Sequence, residues 1–407
     1  MTHLILRHRS WQDVRVNLAA HPFAWPAARA IRRVGPVVRV PGIGVTVSDA
    51  LIAHDVLTQD REFLKQGRGS IADVMTQAFG PSAMANMDGA AHRDLRQRLG
   101  PLASAEQADL WLNSARAPFD RAMQALMRGE SVDLSRTART LSGRLTLTLM
   151  GAVPAVADDA DEAALDDASR DVHALGQRIA SALQLSKLAT SGVEAVQADL
   201  ARLLAYAHDA FARDDLPASS LVARLKTLGC SAEETRGTLS IFFVAGALTL
   251  GVALPRIAAL LMDSGQLTHI ARDGTLVARA VDEGLRYTCP VPATIRIAAN
   301  EGSLGNVRVH AGERVVLLTA NMARDPALFP DPDRFDITRP HDSRARYLWY
   351  GAGPHFCLGF TLAQRTLKYA VAQLAAVPGL LRVESRRAAR GVLLPAWLEL
   401  RVARARQ

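Results

Sequence analysis

The run Tyr350-Gly-Ala-Gly-Pro-His-Phe-Cys-Leu-Gly359 surrounds one thiol, Cys357, with glycines four residues before it and two after it. His355 stands two residues before the thiol and an aromatic ring seven before it. Gly353 and Gly359 let the backbone approach a flat partner closely, because glycine reaches conformations other residues avoid. The continuation Leu358-Gly-Phe-Thr-Leu-Ala-Gln-Arg reads as the start of a helix, whose N-terminal amides would stabilise a thiolate. Sulfur ligation of a large planar cofactor is the chemistry this suits. The same residues also suit a buried, inert cysteine in a glycine-rich turn, the commoner fate of a single thiol.

Other residues fall at chemically useful spacings. His92 and Arg96 lie one turn apart in Met87-Asp-Gly-Ala-Ala-His-Arg-Asp-Leu-Arg96 and would present two donors on one helix face. Glu283 and Arg286 share a helix face in the same way; taken alone, such a pair is a surface ion pair worth little. Ala245-Gly-Ala-Leu-Thr249 sits inside the nearly all-apolar stretch 239–250, which predicts a helix buried on every side. The segment from Asn321 to Asp336 is rich in Pro and Asp, too apolar for a flexible loop and too broken for a helix.

The elements that must position these residues are mainly helical. Residues 37–48 predict a hairpin of β-branched residues around Pro-Gly. Asp133 is expected to cap a helix running to Met150. The Ala/Asp-rich stretch 154–167 reads as a connector, followed by helices near 172–188 and 193–213 joined by a Thr-Ser-Gly turn. Pro255 is expected to kink or end the apolar helix early. Strands are expected at 293–298, 307–309 and 315–319. Without repeats or an evident linker, residues 1–407 read as one domain, with β-rich parts near 37–60 and 293–320.

Composition narrows the function. A chain of 407 residues with 49% hydrophobic content can bury a large core. Its three cysteines (Cys230, Cys289, Cys357) have no paired spacing, which excludes a disulfide framework or a cysteine zinc cluster and fits reduced thiols in the cytoplasm. No signal peptide and no uninterrupted membrane-length apolar run are apparent, so a soluble protein without membrane insertion is expected. The excess of 48 Lys+Arg over 40 Asp+Glu is dispersed and aromatics are 5%, so no nucleic-acid surface is expected. Much of the excess lies in Arg386, Arg387, Arg390, Arg401, Arg404 and Arg406, read as a solvated surface or as a face for an acidic partner.

Taken together, helical Glu-x-x-Arg, strands after Pro290, Asn-x-x-Arg-Asp-Pro, Phe-Asp and the cysteine loop, in that order, resemble the cytochrome P450 family of soluble bacterial type. The upstream His-x-x-x-Arg helix and Ala245–Thr249 extend the resemblance from roughly residue 37 to the end. It implies a mainly α cytochrome P450 fold with small β-sheets and haem between two central helices. Cys357 would be the proximal thiolate ligand of haem b in the loop 350–359, with Tyr350, Gly353 and Gly359 around it. His92, Arg96, Arg296 and His355 would hold the haem propionates. Ala245 and Gly246 would leave room above the iron, and Thr249 would be catalytic. Glu283 and Arg286 would be structural, with Arg339 a third member.

Two positions depart from the family pattern. Tyr350 replaces the usual Phe, and its hydroxyl needs a partner; a new hydrogen bond there would shift the redox potential. Leu248 replaces the acid that normally precedes the threonine, and a leucine relays no proton. Proton delivery through Thr249 and water alone, peroxide-driven or non-inserting oxidation such as ring closure or desaturation, and dispensability of the acid all remain open. So does a haem-binding protein without oxygen activation. The resemblance further implies a hydrophobic small-molecule substrate (a terpenoid, steroid, fatty acyl or polyketide-like compound of secondary metabolism) contacting Met75, Phe79, Phe242, Phe243, Val291, Thr294 and Leu393. Electrons would come from separate ferredoxin and ferredoxin reductase, docking on Arg344, Arg346, Arg365 and Lys368.

Overall fold

The longest element is a 32-residue helix, Ala232–Asp263, around which the others pack. Ser231 opens it with a capping box: its Oγ accepts from the Glu234 amide while the Glu234 carboxylate accepts from the Ser231 amide. Pro255 lies inside the helix and does not end it. Leu254 and Ile257 beside it are buried, and Arg256, fully buried, pairs with Asp13 at 2.7 Å. This burial outweighs the roughly 3 kcal/mol that an interior proline costs. Contrary to the sequence expectation, the helix is long and apolar enough to cross a membrane, but 65% of its most apolar window is buried inside the protein, as befits a core helix. Its burial is also not uniform, since Ala245 is exposed to a cavity.

The computed structural model describes residues 11–405 apart from 69, 154–158, 183–189, 213–215, 217–219 and 341–343. Leu134–Met150 forms a helix whose cap, Asp133, accepts from the amides of Ser135 and Arg136. It crosses helix Asp159–Ala182 at Gly143, where an added Cβ would lie 1.8 Å from the Ser169 carbonyl oxygen. The expected connector at 154–167 is thus helical from Asp159 onward. Asp159, Asp161 and Glu162 sit in the first turn, where the helix dipole favours them, and buried Arg144 anchors Glu162 at 2.9 Å and Asp166 at 2.6 Å. Helix Thr190–Ala212 likewise takes up the Thr-Ser-Gly expected as a turn.

Strands β1 (Val37–Val40), β2 (Gly44–Val47), β3 (Phe63–Leu64), β5 (Thr294–Ala298) and β8 (Arg314–Leu317) form one sheet in the order β1-β2-β8-β5-β3. The hairpin expected at 37–48 is the antiparallel β1–β2 pair. β4 (Val132–Asp133), β9 (Leu381–Ala388) and β10 (Trp397–Arg404) make a second sheet, and β6 (Gly302–Leu304) pairs with β7 (Val307–Val309). On β9, Arg386 is not a free surface cation, because both of its terminal nitrogens bond Asp263 at 2.6 Å.

Candidate active site

Cys357 precedes helix Phe360–Ala376, with Gly359 as N-cap. The Cys357 amide donates to the Tyr350 carbonyl at 3.1 Å, closing the loop upon itself. Gly353 has φ +65°, and an added Cβ would come within 2.7 Å of the Leu57 carbonyl oxygen, so only glycine fits this turn. Burial pushes the Cys357 thiol above its ordinary pKa, opposed by the Gly359 amide and by Arg96. All three cysteines are free.

A cavity of about 390 Å³ opens over this loop. Cys357 and Tyr350 line one side; Ala245, Gly246 and Thr249 of the central helix line another. The Thr249 hydroxyl donates to the Ala245 carbonyl at 3.0 Å, which leaves its own lone pairs available. Phe242, Val291 and Thr294 also line the cavity, whereas Met75, Phe79 and Phe243 lie outside its lining and Leu393 lines a different cavity. Phe79 and Phe243 are core residues. Leu248, too, faces away from the Cys357 cavity and lines that other one.

Four cations singled out from the sequence (His92, Arg96, Arg296 and His355) converge on the Cys357 cavity. Lys65, which follows β3, joins them; nothing in its local sequence marked it. The His92 and His355 rings stack with centroids 4.0 Å apart, and His355 Nε2 lies 3.4 Å from Asp88. Asp88 also accepts from the amides of Lys65 and Gln66, at 3.1 and 2.8 Å. Each cation is destabilised in its charged form. Desolvation, with the neighbouring charge of Arg296, pulls Lys65 down to about 7, and desolvation with His355 and Arg96 pulls His92 to about 4. Desolvation lowers Arg296 to about 10 and also lowers Arg96 and His355. His92 Nδ1 is buried and lacks a hydrogen-bond partner. Lys65, Arg96 and Arg296, with the His92 and His355 rings as further donors, surround one buried space and form a site for an anion.

Tyr350 is walled in, and its hydroxyl pKa is raised by burial and then by Cys357. That hydroxyl makes no hydrogen bond of good geometry, although it feels the Gln364 amide, whose Oε1 is likewise unsatisfied. Gln364 Nε2 instead bonds Asp282 at 3.1 Å. Beneath the loop, Arg286 donates to both oxygens of Glu283 at 2.7 and 2.8 Å, and to the carbonyls of Ala323, Pro332 and Arg334. Arg339 donates to Glu283 at 3.3 Å and Asp336 offers its amide at 3.0 Å, so the Pro/Asp-rich segment is stitched to one buried carboxylate. On the outer face, Arg346 pairs with Asp282 and Arg365 with Asp109, both at 3.2 Å.

A family model for Cytochrome P450 matches residues 273–375. "Putative cytochrome P450 140" of Mycobacterium tuberculosis is 39% identical over 132 residues, which is 32% of this chain and 30% of that protein. "6-deoxyerythronolide B hydroxylase" of Saccharopolyspora erythraea is 38% identical over 136 residues, 33% of each chain. The matched stretch is thus about a third of the length of these curated relatives. Across nearly the whole chain the likeness is one of fold. The structure "Epothilone B-bound Cytochrome P450epoK" superposes with TM-score 0.79 at 21% identity, covering 96% of this chain and 98% of that one.

Proposed function

We propose that the chain is a member of the cytochrome P450 family and a haem-thiolate monooxygenase acting on an apolar small molecule. One observation carries the proposal: Cys357, the basic side chains Lys65, His92, Arg96, Arg296 and His355, and the small residues Ala245 and Gly246 border the same cavity. The residues fit haem b. A propionate-bearing ring would relieve the depressed cations and give the orphaned His92 Nδ1 a partner. Haem, when bound, supplies the redox chemistry by which substrate, dioxygen, two electrons and two protons become hydroxylated substrate and water.

The chain's own residues do the rest. Cys357 would supply a thiolate to the haem iron, its sulfur held in place by its loop and the Gly359 amide. Arg96, Arg296, His92, His355 and Lys65 would hold the propionates. Ala245 and Gly246 leave space for substrate, and the Thr249 hydroxyl holds a proton-bearing water there. Phe242, Val291 and Thr294 give the substrate an apolar wall, which suits a terpenoid, steroid, fatty acyl or polyketide-like compound of secondary metabolism. Glu283 and Arg286 keep the floor rigid. Residues 1–407 act as one cytoplasmic domain, with electrons from ferredoxin and its reductase arriving at the basic face around Arg344, Arg346, Arg365 and Lys368.

Among the described residues no Asp or Glu lines the cavity, which favours peroxide-driven oxidation as a second reading. Titration of the haem-loaded protein with apolar compounds, followed by ferredoxin-driven and peroxide-driven turnover of those that shift the spectrum, tests both. Product with ferredoxin supports the first reading, and product with peroxide alone the second. Spectral binding without turnover by either route leaves a haem-binding protein and refutes both.

A further inference from the structure

The second cavity, of about 330 Å³, borders a different face of the central helix from the Cys357 cavity. Leu248, Gly251 and Val252 contribute from that helix, and among the described residues none lines both cavities. Arg136, Arg139, Arg170, His173 and Gln177 supply its polar wall, while Leu248, Val252, Leu394 and Trp397 are apolar; among the described residues no Asp or Glu lines it. The positive charge is poorly compensated. Arg139 donates to the carbonyls of Leu398 at 3.1 Å and Trp397 at 3.5 Å and forms no ion pair among the described residues. Burial lowers its pKa, opposed by Asp133, whose Oδ1 is already shared by the amides of Ser135, Arg136 and Leu400. Arg136 also has no ion pair among the described residues, and Arg170 has the exposed Asp167 as its partner.

We infer that this cavity binds an amphiphilic carboxylate, with its hydrocarbon body against Leu248, Val252 and Leu394 and its carboxylate on Arg139, assisted by Arg136 and Arg170. An apolar pocket beside the desolvated Arg139 guanidinium rewards a ligand carrying both features, because the carboxylate returns charge-assisted hydrogen bonds to a group that burial has stripped of water. A neutral chain leaves the cations uncompensated, and a small anion leaves the apolar wall unfilled. Leu248 is the point at which the chain itself could satisfy the site: a glutamate there would bring a carboxylate into the same cavity.

Calorimetric titration of the haem-loaded, full-length protein with octanoate, octanol and inorganic phosphate reads binding alone and needs no turnover, so its failure leaves the haem assignment standing. Octanoate is expected to bind at one equivalent, at least tenfold more tightly than octanol or phosphate. Arg139→Gln, Arg170→Gln and Leu248→Glu should each weaken octanoate, the first by about tenfold or more. Ala245→Phe, which fills the Cys357 cavity instead, should leave octanoate binding unchanged. Absence of octanoate binding, equal affinity for octanol or phosphate, or loss of binding in an Ala245→Phe variant that keeps the parent's circular dichroism would each overturn the inference. The comparison of ligands on the unmodified protein decides even if a variant fails to fold.

Discussion

Leu248 and Thr249 are adjacent in sequence but face different cavities: Thr249 lines the one containing Cys357, and Leu248 the one walled by Arg139 and Arg170. Successive helical residues diverge by about 100°, so a side chain at 248 is aimed away from the substrate space. The leucine therefore removes no group from the lining of the Cys357 cavity. Its consequence falls on the second cavity.

Thr249→Ala should lower product formed per electron consumed by about 100-fold, the scale of one positioned proton-transfer group, with the haem spectrum unchanged. Leu248→Glu should leave that ratio unchanged, because its carboxylate would enter the other cavity. Electron consumption and product, measured together in the ferredoxin-driven reaction, check both.

Glu283→Gln should destabilise the protein by about 3–5 kcal/mol, since it leaves Arg286 charged and fully buried without its counter-ion. The Pro/Asp-rich segment should loosen at the same time, because Arg339 and the Asp336 amide share that carboxylate. A fall in the urea midpoint, with faster hydrogen exchange over residues 323–339, is the expected result.

Gly143→Ala should cost about 1–3 kcal/mol, because its methyl group would collide with the Ser169 carbonyl and force two helices apart. Gly302→Ala, which meets nothing within 4 Å, should stay within about 0.5 kcal/mol of the parent. Thermal denaturation of the two variants side by side makes the comparison.

How much of this was legible in the sequence follows from the range of the interactions involved. The Asp133 cap, the β1–β2 hairpin and the Glu283–Arg286 spacing are local, and the sequence shows them. Helix at 159–167 was hidden because its acids are stabilised by Arg144, a partner from another element. Lys65 joins the cation cluster only because β3 pairs with β5, which carries Arg296. Phe79 and Phe243 look like pocket aromatics in sequence yet serve the core, since periodicity does not distinguish one buried face from another. The continuity of the central helix through Pro255 likewise depends on distant packing, including Asp13 against Arg256.

Acid should destabilise the protein through the same Arg144 anchor. Burial raises the pKa of Glu162, but hydrogen bonds from Arg144 and Arg121 outweigh it and hold the carboxyl below its ordinary value of 4.5. A carboxyl depressed in the folded state adds stability above its unfolded pKa, and that stability disappears as pH falls through the folded value. Glu162→Gln should lower the melting temperature at pH 7 and flatten its decline below about pH 4.5. An unchanged acid limb would contradict this role.

The central claim is that Cys357 supplies a thiolate to haem, and the spectrum of the reduced, carbon monoxide-bound protein tests it most directly. The account predicts the red-shifted Soret band of thiolate ligation in the parent protein and its loss in Cys357→His. A parent protein that takes up haem without that band, or a Cys357→His variant that keeps it, would contradict the account.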